Sequence, residues 1–118
     1  MKIYAIRGAI TVNADTADEI VEKSVLLART IAEKNSYDAV ISVIISTTED
    51  ITAYYPAKAI REANALDAPI FSCKEPSIEG ALPFCIRLLV TVSSNDDESE
   101  ARHVYLGKAK ELRKDLAE

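Results

Sequence analysis

Apolar and polar positions along the chain recur with two different periods, and the switches between them mark out its elements. Over residues 2 to 12, the β-favouring Ile3, Tyr4, Ile6, Ile10 and Val12 predict a strand, in which Gly8 marks a bulge or a close backbone approach. The period then lengthens. Thr16-Ala17-Asp18-Glu19 has the S/T-x-x-E form of a capping box, whose hydroxyl and carboxylate satisfy amides left unpaired at a helix start. Ile20, Ser24, Leu27 and Ile31 follow at helical spacing, with Val21, Val25, Ala28 and Ala32 beside them. A long helix with one broad apolar face should therefore run to about Asn35.

Residues 39 to 46 are almost continuously apolar and β-branched, the pattern of a central strand covered on both faces. A polar run from Thr47 to Asp50 ends it. Pro56 fits the first position of a short helix through about Ala65, because a missing amide hydrogen costs nothing there. Pro69 to Cys73 predicts a short strand and Phe84 to Ser93 a longer one. Alternation in the longer one puts Phe84, Ile86, Leu88, Val90 and Val92 on one face, with Cys85, Arg87, Leu89 and Thr91 on the other. Asn95-Asp96-Asp97-Glu98 reads as a solvated loop, and His103 to Leu106 as a last strand before a charged tail. The sum is an α+β sheet with helix on one face. Val40 to Ile45 and Phe84 to Val92 carry more apolar surface than one long helix covers, so the opposite face predicts self-association.

Composition narrows this picture. A chain of 118 residues that is 48% hydrophobic suits one domain spanning positions 1–118, large enough to bury roughly two thirds of its unfolded surface. No repeat or low-complexity tract appears. The opening Met1-Lys2-Ile3-Tyr4-Ala5-Ile6-Arg7-Gly8 lacks a secretory pattern, and no stretch approaches the ~18 apolar residues needed to span a bilayer, so the expected location is cytoplasmic. A formal charge of -5 argues against nucleic acid or an anionic membrane as partner. An anionic small molecule stays open, given a local arginine cluster. Cys73 and Cys85 lack zinc-site spacing and His103 is the only histidine, so no metal is expected; in a reducing compartment the cysteines are read as free thiols, the alternative being a Cys73–Cys85 disulfide.

Arg87 is the most informative residue for chemistry, because a guanidinium within an apolar strand needs an anion or acceptors to offset desolvation. A structural salt bridge or an exposed edge position would also serve. Arg7, just before Gly8, is either a cleft residue or a surface arginine. Glu75 lies in a loop following a strand, where it borders a pocket or is solvated, and Tyr105 either binds a ligand or packs at an interface. With no G-x-S-x-G, no phosphate-cradling glycine loop and one histidine, covalent and nucleotide chemistry lose ground. An anion site acting by electrostatic stabilisation is what remains.

Five segments, taken in order, resemble the AroH-class chorismate mutases: Ile6-Arg7-Gly8-Ala9-Ile10-Thr11-Val12, Tyr55-Pro56-Ala57-Lys58-Ala59-Ile60-Arg61, Cys85-Ile86-Arg87, Arg102-His103-Val104-Tyr105-Leu106, and Leu112-Arg113 with Asp115-Leu116. The resemblance implies a mixed sheet within a homotrimeric pseudo-α/β barrel, an architecture shared with YjgF-like proteins, with active sites between adjacent subunits. It implies an isomerase of aromatic amino acid biosynthesis that converts chorismate to prephenate by a pericyclic Claisen rearrangement, without cofactor or covalent intermediate. By the same resemblance, Arg87 would donate to the ether oxygen, Arg7 and Tyr105 would bind a substrate carboxylate, and Glu75 would accept from the ring hydroxyl. Phe71, Ser72 and Cys73 would line the pocket; Tyr55, Ala57, Lys58 and Arg61 would form a wall from the neighbouring subunit, and Arg113 would help close the site.

Three departures from the family pattern stand out. The Cys73 to Cys85 segment is one residue short, which leaves Glu79 as an alternative to Glu75; Tyr55 stands where phenylalanine is frequent; Lys114 stands where proline is common. A YjgF-type deaminase and a trimeric metabolite sensor are the alternative readings.

Overall fold

The computed structural model describes residues 1–112. Its elements are β1 (Lys2–Thr11), α1 (Ala17–Lys34), β2 (Ala39–Thr47), α2 (Pro56–Glu62), β3 (Ile70–Lys74), β4 (Cys85–Ser94) and β5 (Val104–Leu106), followed by a 3-10 turn at Gly107–Glu111. Each expected element is present with ends shifted by a few residues at most. The strands form one mixed sheet in the order β3-β2-β4-β1-β5. β4 pairs antiparallel with β1 and β2, while β3 and β5 are parallel edge strands.

This order places β2 inside the sheet, between β3 and β4, but not at its centre as expected. The central place belongs to β4, and Ile44 of β2 remains 44% exposed. A continuous apolar run marks a strand whose two faces both need cover, and periodicity alone cannot say whether the same chain supplies that cover.

The sheet's helix-bearing face holds the core. Ile6 and Ile10 of β1, Val43 and Ile45 of β2, and Ile86, Leu88, Val90 and Val92 of β4 pack with Ile20, Leu27, Ala28 and Ile31 of α1. The predicted stripe of α1 is thus the buried one. Thr16 caps the helix through its hydroxyl, which accepts from the Glu19 amide at 3.2 Å. The reciprocal half of the expected box is displaced: Glu19 accepts from the amide of Asn13, at 2.7 Å, instead of the amide of the cap residue.

Of the two roles open to Gly8, the structure selects close approach. It pairs in register with Leu88, without a bulge, and a Cβ there would lie 2.6 Å from Ile31 Cδ1 and 3.2 Å from Leu27 Cδ1. Glycine lets α1 settle onto β1. We expect Gly8→Val to destabilise the fold by about 1–3 kcal/mol through overpacking, seen as a lower denaturant midpoint with an unchanged slope. An unchanged midpoint would show that the helix can move away at no cost.

Two loop anchors frame the region between β2 and β4. Asp15 accepts from the amides of Thr52 and Ala53 at 2.9 and 3.0 Å and from the Thr52 hydroxyl at 2.5 Å, tying the start of α1 to the segment before α2. These bonds, the Thr52 hydroxyl first, hold its carboxyl below the ordinary value. Asp50 accepts from the amide of Phe84, at 3.0 Å through one oxygen, and from the Thr48 hydroxyl at 2.5 Å. Phe84 sits at a φ of 53°, a left-handed conformation unfavourable for a bulky residue, and the Asp50 carboxylate holds that turn into β4.

Candidate active site

The open face of the sheet carries the candidate residues, and strand register explains why they meet. Side chains of directly paired residues share a face. One row across the sheet runs Cys73, Ser46, Arg87, Ala9, Tyr105, from β3 through β2, β4 and β1 to β5. The neighbouring row runs Phe71, Ile44, Leu89, Arg7. Residues far apart in sequence therefore become adjacent. A shallow depression of about 200 Å³ lies over both rows, and Arg7, Ser46, Glu75, Arg87 and Tyr105 all line it.

Glu75 enters from just beyond β3, where its amide donates to the Thr47 carbonyl at 2.8 Å and prolongs the β2–β3 pairing by one step. Its carboxylate accepts from the Ser46 hydroxyl, and the same oxygen lies 3.3 Å from Arg87 Nε without a hydrogen bond forming through that nitrogen. Arg87 thus has an internal counter-ion and faces a cavity at once. Its side chain keeps 43% of its exposure, so the pairing leaves guanidinium surface for a ligand. Glu79 is exposed and does not line the depression, so geometry joins Glu75 and not Glu79 to the arginine.

Arg7 and Tyr105 complete the cluster. The Arg7 guanidinium and the Tyr105 hydroxyl have no hydrogen-bonding or ionic partner among the described residues, although the tyrosine is only 6% exposed. His103 holds the backbone there, its Nδ1 accepting from the Arg7 amide at 2.9 Å. At the closed end of the open face, Cys85, Ala9 and Tyr105 are covered by Ala109 of the 3-10 turn. Burial pushes the Cys85 thiol above its ordinary value, with the nearby Arg87 opposing. Both cysteines are free, Cys85 buried and Cys73 exposed.

The remaining candidates lie elsewhere. A second depression, about 560 Å³, opens on the helix-bearing side between β3 and α2, lined by Tyr55, Lys58, Ser72 and Cys73 among others. Lys58 stands over the Tyr54 ring at 5.5 Å, and Tyr55 is 71% exposed. Phe71 projects from the open face at the β3 edge, equally exposed. Ala57 turns into the core and Arg61 lies on the exposed side of α2; neither lines this depression. Arg113 falls outside the described residues. Among the described residues, no group of His, Cys, Asp and Glu is placed to hold a metal ion, and no helix is long and apolar enough to cross a membrane.

Sequence reading missed Ser46 and His103 as parts of this cluster. Ser46 closes a strand as an ordinary polar terminus; its one signal is a hydroxyl at the end of an apolar run. His103 stood within a family-like segment and as the chain's sole histidine, but no role at the site was read from it.

A cluster of two arginines, a carboxylate and a phenol suits a small anion with a hydroxyl, and comparison with known proteins converges on one family. The family model described as Chorismate mutase type I matches residues 3–116. Chorismate mutase AroH of Bacillus subtilis is 39% identical over 120 residues, spanning 99% of this chain and 94% of that protein. The AroH protein of Thermus thermophilus is 38% identical over 117 residues, 97% of this chain and 96% of the other. Among solved structures, a chorismate mutase from Clostridium thermocellum superposes with a TM-score of 0.84 at 40% identity, covering 92% of this chain and 99% of that one. Agreement in sequence over nearly the full length, and in fold, establishes that the chain belongs to the chorismate mutase type I family.

Proposed function

We propose that the protein acts as a single chorismate mutase domain, rearranging chorismate to prephenate in aromatic amino acid biosynthesis. The observation that carries this reading is the convergence of Arg7, Glu75, Arg87 and Tyr105 on one depression, with the Arg7 guanidinium and the Tyr105 hydroxyl left unpartnered among the described residues.

The chemistry asks little of a protein. A carbon-oxygen bond breaks as a carbon-carbon bond forms within one molecule, so the levers are charge stabilisation and conformational restriction. Arg87 donates to the ether oxygen as it gains negative charge. Arg7 and Tyr105 hold a carboxylate, and Glu75 accepts from the ring hydroxyl. A flexible substrate held in its compact shape has already lost the freedom that opposes reaction in water.

The site is completed by a second copy of the chain. The two depressions open on opposite sides of one sheet, so Tyr55, Lys58 and Ser72 cannot reach the Arg87 cluster of their own protomer by side-chain motion. A neighbour placing its β3–α2 edge over the open face joins the halves, and three copies closing a ring satisfy every such contact. Ile3, Ile44, Phe71 and Leu89, between 38% and 71% exposed, supply the apolar surface for that contact.

The direct test mixes purified protein with chorismate, without added metal or nucleotide, and follows loss of its ultraviolet absorbance alongside prephenate formation. Turnover above the uncatalysed rate is expected, unchanged by chelator. No turnover would leave a sensor or a deaminase of similar architecture, and ammonia release from an imine substrate would select the deaminase.

A further inference from the structure

We infer that Ser46 is a positioning residue that decides which oxygen of Glu75 is offered to the substrate, an inference resting on the function proposed above. Ser46 stands directly between Cys73 of β3 and Arg87 of β4 in one cross-strand row on the open face. Its hydroxyl donates to Glu75 Oε1, the same oxygen that lies 3.3 Å from Arg87 Nε. Oε1 therefore holds one hydrogen bond and one ionic contact. Oε2 has no hydrogen-bond partner among the described residues.

Arginine and carboxylate left to themselves favour a two-pronged pairing, in which both carboxylate oxygens meet guanidinium donors. Such a pairing here would occupy Oε2 and draw guanidinium donors away from the substrate's ether oxygen. A hydroxyl at position 46 works against it by fixing the orientation of the carboxylate from the β2 side. Glu75 lies beyond the end of β3, and apart from its contact with Arg87 its one other hydrogen bond among the described residues is the backbone bond to Thr47. Fixing its long side chain before substrate arrives removes a rotamer cost that binding would otherwise bear. A rigid strand supplies the hydroxyl that orients a carboxylate carried on a loop.

The test is a double-mutant cycle read on chorismate turnover, with wild-type turnover measured first. Ser46→Ala should lower kcat/KM roughly tenfold, the effect of one lost hydrogen bond to a charged group, with an unchanged melting temperature. Ser46→Thr, which keeps the hydroxyl on a β-favouring residue, should restore most of the rate. In a Glu75→Ala background the Ser46→Ala change should be nearly silent, since the group it orients is gone. An equal loss in both backgrounds would overturn the inference, because Ser46 would then act independently of Glu75. A full rate in Ser46→Ala would overturn it as well. Should Ser46→Ala fail to fold, Ser46→Cys, nearly the same size with a weak donor, serves in the same cycle and should give a loss that disappears without Glu75. A wild-type protein that leaves chorismate unchanged would instead overturn the proposed function.

Discussion

Replacing Arg87 by glutamine should lower kcat by roughly a hundred- to thousandfold, the usual cost of removing one donor aimed at charge that develops in a transition state. The competing view is that Arg87 exists to pair with Glu75, and magnitudes separate the two. An ion pair whose arginine keeps 43% of its side-chain exposure is worth at most about 1 kcal/mol to stability after solvent screening. The catalytic role predicts a far larger loss in rate than in stability, concentrated in kcat and not in ground-state affinity. Equal losses in binding and turnover would remove Arg87 from the chemistry. So would a collapse of thermal stability matching the loss of rate.

Placing glutamates at Ile44 and Leu89 together should abolish assembly and, with it, turnover. These residues are direct cross-strand partners at the middle of the open face, 44% and 38% exposed in the single chain. Burying the exposed share of either side chain in a contact is worth about 1 kcal/mol, and burying an unpaired carboxylate instead costs several. The wild-type protein should sediment at about three times its 12.9 kDa chain mass and the variant at the chain mass itself. Rate should fall because the halves of the site stand on opposite sides of one sheet, and it should recover partly at high protein concentration, where association returns by mass action. A monomeric variant with full turnover would place the whole site within one chain.

The one-dimensional signals that proved reliable were those generated by neighbours along the chain. The spacing of Ile20, Ser24, Leu27 and Ile31 identified the buried stripe of α1, and Thr16 capped it through the Glu19 amide. Alternation from Ile86 to Val92 identified the core face of β4 and so placed Arg87 on the other. The reading failed where a strand's neighbours had to be known. The apolar run of β2 suggested the middle of the sheet, yet β4 is there, because β4 pairs with both β1 and β2 whereas β2 borders the edge strand β3. Ala57, placed beside Lys58 in the wall by the family resemblance, packs its side chain into the core of its own chain, since adjacent residues of a helix point in different directions.

The order of residues along the chain was sufficient for the class of fold, the two helices, the open apolar face, the family and the four residues gathered over the first depression. All of these rest on local periodicity or on a motif kept in sequence order. Register between strands was needed for the rest. It sets Ser46 between Cys73 and Arg87 and brings Glu75 rather than Glu79 to the guanidinium, while the sheet itself separates the Tyr55 and Lys58 wall from the arginines of the same chain. Contacts across a sheet join residues dozens of positions apart, and no pattern in a single string records which pairs those will be.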